Sequence, residues 1–369
     1  MADLSAAEAA CQDAVTRTTH ENQARAWRRW KVYANSIGIT DDFYLDGLDR
    51  HGRIKLMGAF AMALREGRFS GSAHAPLVES TIRNTISYVA QTFRENDRSN
   101  PTKDEDGELG RLLSRLYRSF RNRDPAEKQQ KALPCCILRE IANLQATETQ
   151  RATCQLAIGA FVFAMRSCEY LKVKQQDKRR TDILKLADIT FLREGEIIPH
   201  DNPELEYSNI VTITFRTQKK EERDNTVNQH ATNDTLMCPV RIWATIVKRI
   251  RSYPSANDDT AVSAVWRNNQ IEHITSDQLI NAIDAAAESI GYQKLGVKKG
   301  DLGLHSIRSG AAMAMYLDEV PIYTIMMIGR WSSDTFLWYI REQVESFSHN
   351  VSKRMIKHQF FRHIPERNN

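Results

Sequence analysis

The chain lacks any long uninterrupted apolar segment. Within its 369 residues there is no run of about 18 hydrophobic residues, the length that a membrane-spanning helix requires. The N-terminal residues Met1–Ser5 also lack the basic and then apolar regions of a secretory signal. We therefore expect a protein that works inside the cell and has no membrane partner.

Cysteine is scarce, and its spacing suggests neither a metal site nor a disulfide framework. The six cysteines show no Cys-x-x-Cys pairs, which makes reduced thiols the simplest interpretation. The histidines likewise form no pattern typical of metal ligands. We expect the protein to need no metal and no other cofactor.

The excess of positive charge is small and does not by itself indicate a nucleic-acid partner. Lysine and arginine number 51 against 46 acidic residues, a net charge of +5. The distribution is more informative, because basic residues cluster in four places. These clusters are Arg111, Arg115 and Arg118; Arg121, Arg123, Lys128 and Lys131; Lys172, Lys174, Lys178, Arg179 and Arg180; and Lys248, Arg249 and Arg251. Each could neutralise phosphates, although a solvated helix face explains any one of them equally well.

Amphipathic helices are predicted from the N-terminal region to about residue 123, and they form a first domain, residues 1–123. Apolar residues recur three or four apart in four segments, as one helix face requires. These segments begin at Thr18 and then cover 54–69, 77–93 and 109–120, the last with Leu109, Leu112, Leu113, Leu116 and Phe120 as its apolar stripe. The polar stretch 124–134 is the expected linker.

The remainder, residues 135–369, is predicted to be a mainly α domain with a small antiparallel β-sheet. A buried helix is expected over 156–173, with Arg166 in its C-terminal half. Strand-like runs at 183–191, 210–215 and near Thr226 follow, the last two separated by a charged turn. Helices then resume with Pro239 at a first helical position and Thr275 opening a capping box.

Candidate catalytic residues occur mainly near the C-terminal end of the sequence. His305 and Arg308 lie one helical turn apart and can face one phosphate, which Tyr339 on a later helix could attack. Singly, each residue has a plainer explanation: Arg166 as an ion pair with Glu169, and Tyr339 as core packing. Their joint order and spacing favour a site over coincidence.

In these motifs the sequence resembles the tyrosine recombinase (phage integrase) superfamily. The sequence of residues 328–341, which begins Ile-Gly-Arg-Trp-Ser-Ser-Asp and ends Trp-Tyr-Ile-Arg, is similar to that of the crypton-type recombinases of eukaryotic mobile elements. The resemblance implies the DNA breaking-rejoining fold for residues 135–369. It also implies that residues 1–123 form a helical, SAM-like core-binding domain that contacts DNA.

The resemblance further assigns the catalytic residues. It implies Arg166, Lys219, His305, Arg308, Trp331 and Tyr339, with Lys220 as the alternative to Lys219. One departure is that the family usually has histidine or tryptophan nine residues before the tyrosine, where this chain has Arg330. Trp331 lies eight residues before Tyr339 and matches by residue type. We therefore choose Trp331, with Arg330 as the alternative.

The activity implied is site-specific cutting and rejoining of double-stranded DNA through a 3′-phosphotyrosine. The resemblance implies a mobile-element integrase that is a monomer or dimer when free, is a homo-tetramer on synapsed DNA, and is nuclear if the host is eukaryotic. Two alternatives stay open: a domesticated DNA-binding protein that does not cut, and a type IB topoisomerase-like enzyme.

Overall fold

The chain divides into two compact units. The computed structural model describes residues 16–68, 76–125, 130–172, 181–217, 223–333 and 337. The units are Met1–Glu127 and Lys128–Asn369, and the division falls inside the polar stretch expected to be a linker. Across the described ranges, no helix is both long and apolar enough to cross a membrane.

The first unit is built from helices close to the predicted segments. They are α1 (Arg17–Ser36), α2 (Arg50–Arg65), α3 (Glu79–Glu95) and α4 (Arg111–Arg123). Side chains cap the first two: Thr16 Oγ1 accepts from the amide of Thr19 at 3.3 Å, and Asp49 accepts from the amide of Gly52 at 2.7 Å. These acceptors satisfy amides that have no partner within the helix.

Aromatic side chains form the core of the first unit. Trp30, Phe60 and Phe93 are fully buried, and Trp30 donates its indole N–H to the carbonyl of Phe43 at 2.8 Å. On α4, Leu113 and Phe120 face this core, whereas Leu112 is exposed. The apolar stripe predicted for α4 is therefore narrower than the sequence pattern indicated.

The second unit is mainly helical. Its helices are α5 (Cys135–Leu144), α6 (Glu148–Val162), α7 (Ser167–Tyr170), α8 (Pro239–Arg251), α9 (Ser276–Ile290), α10 (Tyr292–Leu295), α11 (Leu304–Leu317) and α12 (Ile322–Gly329). Pro239 occupies the start of α8, and Thr275 forms the capping box of α9 with Gln278. Both helix starts confirm predictions made from local sequence signals.

A small antiparallel sheet completes the second unit, as predicted. Its strands are β1 (Ile189–Arg193), β2 (Glu196–Ile198), β3 (Ile210–Thr217) and β4 (Arg223–His230), in the order β2-β1-β3-β4. A separate hairpin joins β5 (Ala264–Arg267) to β6 (Gln270–His273). The run 183–191 was predicted as one strand, but its middle is a 3₁₀ turn, Leu186–Asp188, and the strand begins only at Ile189.

Helix α6 lies at the centre of the second unit's core. Trp243 of α8 packs so closely on it that a Cβ at Gly159 would come within 3.1 Å of the indole. Phe163, just beyond α6, meets the same tryptophan edge to face at 6.0 Å between ring centroids. This tight packing fixes the end of α6, from which the candidate site is built.

Candidate functional site

Helix α11 carries both His305 and Arg308 at its N-terminal end, one turn apart as predicted. The helix is held against the segment before α5, because the amide of Leu133 donates to the carbonyl of Ser306 at 2.9 Å. The contact is close enough that a Cβ at Gly310 would come within 2.1 Å of the carbonyl oxygen of Leu133. Glycine is therefore required where α11 touches this backbone.

Arg166 does not lie in a long helix, and the prediction of a helix over 156–173 was wrong. Helix α6 ends at Val162, and Ala164 adopts a left-handed backbone with φ of 45°. Arg166 is instead the residue that precedes the short helix α7. The break turns the backbone so that the carbonyl of Ala164 and the side chain of Arg166 both become available to other segments.

The Arg166 side chain makes an ion pair with Glu169, as the plain interpretation of the sequence expected. Its Nη1 donates to Glu169 Oε1 at 2.9 Å, and its backbone amide donates to Glu169 Oε2 at 2.7 Å. Arg166 remains 27% exposed, whereas Glu169 is 1% exposed. A buried carboxylate thus holds an arginine that solvent can still reach.

Arg330 is a second arginine on the same carboxylate. Its Nη2 donates to Glu169 Oε2 at 2.8 Å, and its side chain has no exposed surface. Its Nη1 donates to the carbonyls of Phe163 at 3.1 Å and Ile328 at 3.0 Å. The guanidinium also lies over the ring of Phe215, 3.6 Å from its centroid. Arg330 therefore joins the ends of α6 and α12 to strand β3.

The charges around Glu169 keep it ionised although it is buried. Burial alone would raise the pKa of Glu169, but the positive charges of Arg330, Arg308 and Arg166 outweigh that effect and lower the pKa. Three guanidiniums around one carboxylate leave an excess of positive charge. An anion near this cluster would be stabilised.

Acid is expected to weaken the second unit by protonating Glu169. Since the folded-state pKa lies below the unfolded value of about 4.3, this stabilisation is present above that pH and is lost as the pH falls through the lower folded value. Thermal unfolding midpoints of wild type and Glu169→Gln, measured from about pH 7 to about pH 3, should differ most near neutrality and converge in acid. A difference that stays constant over this range would contradict the expectation.

Arg308 reaches the same place from α11. It donates through Nη1 to the carbonyl of Ala164 and through Nη2 to the carbonyl of Gly329. Its guanidinium lies over the ring of Trp331, 4.3 Å from the centroid, and the residue is only 2% exposed. Arg166 in turn donates through Nη2 to the carbonyl of Arg330 at 3.3 Å. The two arginines singled out from the sequence therefore meet at the C-terminal end of α12.

The end of α12 is shaped to receive these arginines. Arg330 adopts a left-handed backbone with φ of 55°, which ends the helix. Trp331 folds back, its amide donating to the carbonyl of Met326 at 2.9 Å. Its ring covers Gly329, where a Cβ would lie 1.6 Å from the indole. Carbonyls at a helix C-terminus carry partial negative charge, which favours neighbouring guanidiniums.

Trp331 and Arg330, the two alternatives for one position, have different environments. Trp331 is partly buried and stacks with Arg308. Arg330 is enclosed, and its guanidinium binds interior acceptors. Of the two, only Trp331 lies where a ligand beside Arg308 could reach it.

His305 lies at the surface beside the arginines. The residue is exposed, and its backbone amide donates to Gln130 Oε1 at 3.1 Å. Desolvation by neighbouring atoms lowers the pKa of His305, and the positive charges of Arg308 and Arg166 lower it further. At neutral pH the imidazole is therefore uncharged and can either donate or accept a hydrogen bond.

Three predicted catalytic residues lie outside the described residues: Lys219, its alternative Lys220, and Tyr339. The strands on either side of the lysines pair in register, with Thr217 opposite Arg223. Two residues before Tyr339, Leu337 packs against Ala312, Met313 and Ile325. Leu337 thus contacts α11, which carries Arg308, and α12, which Arg330 follows.

The basic cluster at the end of α8 has internal partners. Lys248 pairs with Glu206, Arg251 pairs with Asp258, and Arg249 donates to Gln155, Tyr253 and the carbonyl of Ala264. These contacts fix α8 against its surroundings. The suggestion that this cluster neutralises phosphates receives no support from its geometry.

The first unit presents a different basic surface. On α4, Arg111, Arg115 and Arg118 are exposed, as the predicted basic face requires. A polar concavity between α1 and α3 contains Arg25 and Arg29. Burial and the charge of Arg25 lower the pKa of Arg29. Both places would favour an anion.

The buried contacts of Arg330 were not predicted from the sequence. Arg330 was predicted only as the alternative to Trp331, because it lies nine residues before Tyr339. A signal was available: Glu169 follows a strongly apolar segment, and a buried carboxylate needs a charged partner and further hydrogen bonds for its remaining lone pairs. The identity of that partner could not be read from the order of residues.

Comparison with solved structures finds DNA-bound recombinases and integrases among the structures similar to this chain. No protein-family model matches the sequence, and no curated protein matches it. XerH site-specific recombinase bound to difH substrate is 15% identical with a TM-score of 0.49, covering 89% of this chain and 76% of that chain. The Tn1549 transposon integrase with circular intermediate DNA is 10% identical with a TM-score of 0.49, covering 89% and 99%. A lambda integrase dimer bound to a core site is 12% identical with a TM-score of 0.42, covering 85% and 94%.

Proposed function

We propose that this protein is a site-specific tyrosine recombinase that cuts and rejoins double-stranded DNA through a 3′-phosphotyrosine at Tyr339. The observation that carries the proposal is the meeting of Arg166 and Arg308 at the end of α12, with His305 beside them. Two guanidiniums from separate segments, together with a neutral imidazole on the same helix as one of them, make a site for a phosphodiester. Leu337, two residues before Tyr339 in the sequence, packs against α11 and α12.

Each residue in the proposed reaction has a defined task. Arg166, which solvent reaches, binds a nonbridging oxygen of the phosphate, and the enclosed Arg308 adds fixed positive charge behind it. The neutral His305 hydrogen-bonds a nonbridging oxygen or helps move a proton. Trp331 supports Arg308 by lying against its guanidinium.

The proposed chemistry exchanges one phosphate ester for another. The phenolic oxygen of Tyr339 attacks phosphorus as its proton passes to the neutral imidazole of His305 or to water, and the bond from phosphorus to the 5′ oxygen breaks. Lys219 gives that oxygen a proton, which produces a free 5′ hydroxyl. A 5′ hydroxyl from another strand can reverse the steps, since the phosphotyrosine retains the energy of the original ester.

A covalent-capture experiment tests the proposal without knowledge of the target sequence. Duplex oligonucleotides with a randomised centre and a nick in one strand are incubated with wild type, and covalent protein–DNA adducts are isolated under denaturing conditions. The short fragment beyond the nick diffuses away after cleavage, so resealing is prevented. We expect an enriched set of sequences joined to wild type and no adduct with Tyr339→Phe.

The outcomes separate the proposed activity from its alternatives. Retained DNA binding with no adduct would indicate a domesticated DNA-binding protein. An adduct accompanied by relaxation of supercoiled plasmid, but never by recombinant product, would indicate a topoisomerase-like enzyme. Replacement of Tyr323, an exposed tyrosine on α12, by phenylalanine is the matched control and should leave adduct formation unchanged.

A further inference from the structure

Arg330 occupies an unusual position for a charged residue. Its side chain is wholly enclosed, and it binds Glu169, the carbonyls of Phe163 and Ile328, and the face of Phe215. Bringing a guanidinium into such a place is costly unless its contacts are well formed. These contacts come from three separate segments, so Arg330 fixes the arrangement of all of them.

Both arginines of the proposed phosphate site are held by the main chain at the end of α12, and Arg166 is also held by the charge of Glu169. Arg166 binds Glu169 with Nη1 and the carbonyl of Arg330 with Nη2. Arg308 binds the carbonyl of Gly329, the preceding residue. Glu169 Oε2 is shared between the amide of Arg166 and the Nη2 of Arg330. The position of Arg166 is therefore linked to Arg330 twice, once through a side chain and once through the main chain.

Two other roles for Arg330 fit the geometry less well. Its distance in sequence from Tyr339 would suggest direct contact with the phosphate, but none of its side chain is exposed. A purely stabilising ion pair would need only Glu169, yet the Arg330 backbone also receives Arg166 at the point where α12 ends. The contacts favour an effect on the location of Arg166.

We propose that Arg330 is a positioning residue, which holds Glu169 and the end of α12 so that Arg166 meets the phosphate with the fixed charge of Arg308 behind it. This inference rests on the proposed function for its catalytic meaning. It adds a residue that acts through others and does not touch the DNA. Without Arg330, Glu169 would keep Arg166 as a partner but would lose the contact that holds its carboxylate in place.

A double variant separates positioning from stability. Arg330→Met leaves Glu169 with one fewer positive partner, whereas Arg330→Met combined with Glu169→Gln removes both charges and restores the net charge of wild type. Replacing both members of a buried pair is often nearly neutral for stability. We expect the double variant to recover most of the thermal midpoint lost in Arg330→Met.

The titration of His305, followed by NMR, reports the position of Arg166 without any DNA. Burial and the charge of Arg308 lower the pKa of His305, and the charge of Arg166 lowers it further, so a displaced Arg166 should raise the titration midpoint. We expect this rise in the double variant despite its restored stability and charge, and we expect it to exceed the rise in Glu169→Gln alone, because Glu169 also binds Arg166 directly. At saturating DNA, its rate of adduct formation should fall roughly tenfold, with the dissociation constant changed less than about twofold.

Control variants guard against loss of folding. Arg249→Met removes a partly buried arginine that binds Gln155, Tyr253 and Ala264 elsewhere in the unit, and it should lower the thermal midpoint without moving His305. Arg330→Lys keeps the charge beside Glu169 and should restore part of the adduct rate. If the double variant regained wild-type His305 titration and cleavage, Arg330 would be a stabilising residue only. If wild type formed no adduct while His305 still shifted as expected, the positioning would stand and the proposed recombinase function would fall.

Discussion

Replacing Arg166 by lysine is expected to lower the rate of DNA-strand cleavage by roughly 10²- to 10³-fold. The guanidinium of Arg166 binds Glu169 and the carbonyl of Arg330 through two nitrogens of one plane. These two hydrogen bonds fix the orientation of the guanidinium that the proposed phosphate would meet. An ammonium is a single point of charge on a flexible stem and cannot keep both contacts with the same direction. The lysine would retain the positive charge of Arg166 but would lose the fixed geometry of its two hydrogen bonds.

Single-turnover cleavage of captured target duplexes, at saturating protein, measures this effect. Arg193→Lys is the matched control, because Arg193 has 28% side-chain exposure and pairs with Glu204 in the same unit. It should cleave at the wild-type rate. Equal loss in both variants would mean that the effect reflects general damage, and an unchanged rate in Arg166→Lys would remove Arg166 from the proposed site.

Replacing Glu169 by alanine is expected to lower the free energy of unfolding by about 3–5 kcal/mol. The reason is Arg330, whose guanidinium has no exposed surface and would lose its carboxylate partner. Water cannot replace that partner unless the surrounding core opens. The remaining acceptors, two main-chain carbonyls, are neutral and cannot offset the full cost of a buried charge.

Urea denaturation followed by tryptophan fluorescence provides the measurement for Glu169→Ala. Glu204→Ala is its control, since Glu204 also pairs with an arginine but its side chain is 64% exposed. Exposed pairs of this kind contribute at most about 1 kcal/mol. A loss of similar size in the two variants would show that the Glu169 cluster is far better solvated than its packing indicates.

Local sequence signals predicted where many elements begin. Thr275 and Pro239 opened helices as expected, because a cap and a proline act within a single turn. The amphipathic segments of the first unit correspond to α1 to α4, because apolar residues repeated every three or four positions form the buried face of a helix.

The end of α6 could not be predicted in the same way. Residues on both sides of Ala164 are apolar and fully buried, so periodicity gives no sign of a break. What stabilises the left-handed turn at Ala164 is distant in sequence, since its carbonyl accepts from Arg308. A helix end that depends on a tertiary contact cannot be predicted from the local pattern of apolar and polar residues.

The β5–β6 hairpin was missed although its turn carried a signal. Asn268 and Asn269 both have positive φ, of 51° and 58°, the backbone that a two-residue turn between strands requires. Asparagine tolerates that conformation better than most residues. The strands themselves, Ala264–Arg267 and Gln270–His273, are too short to show clear alternation.

Several residues of the candidate site were singled out from the sequence, but the contacts that arrange them were not. The sequence singled out Arg166, His305 and Arg308, which the fold brings together, and it noted Glu169 as a partner of Arg166. The roles of these residues in cleavage stay predictions, as do those of Lys219 and Tyr339. The use of Arg330 as an interior anchor depends on three-dimensional packing around Phe215 and Phe163.

The carbonyls that receive Arg166 and Arg308 belong to adjacent residues, Arg330 and Gly329. These carbonyls lie in neighbouring peptide planes joined at the Cα of Arg330, so the φ and ψ of that residue, 55° and 50°, set the separation of the two attachment points. A change in this left-handed backbone would therefore move the attachment points of both guanidiniums relative to each other, even if every side chain were kept.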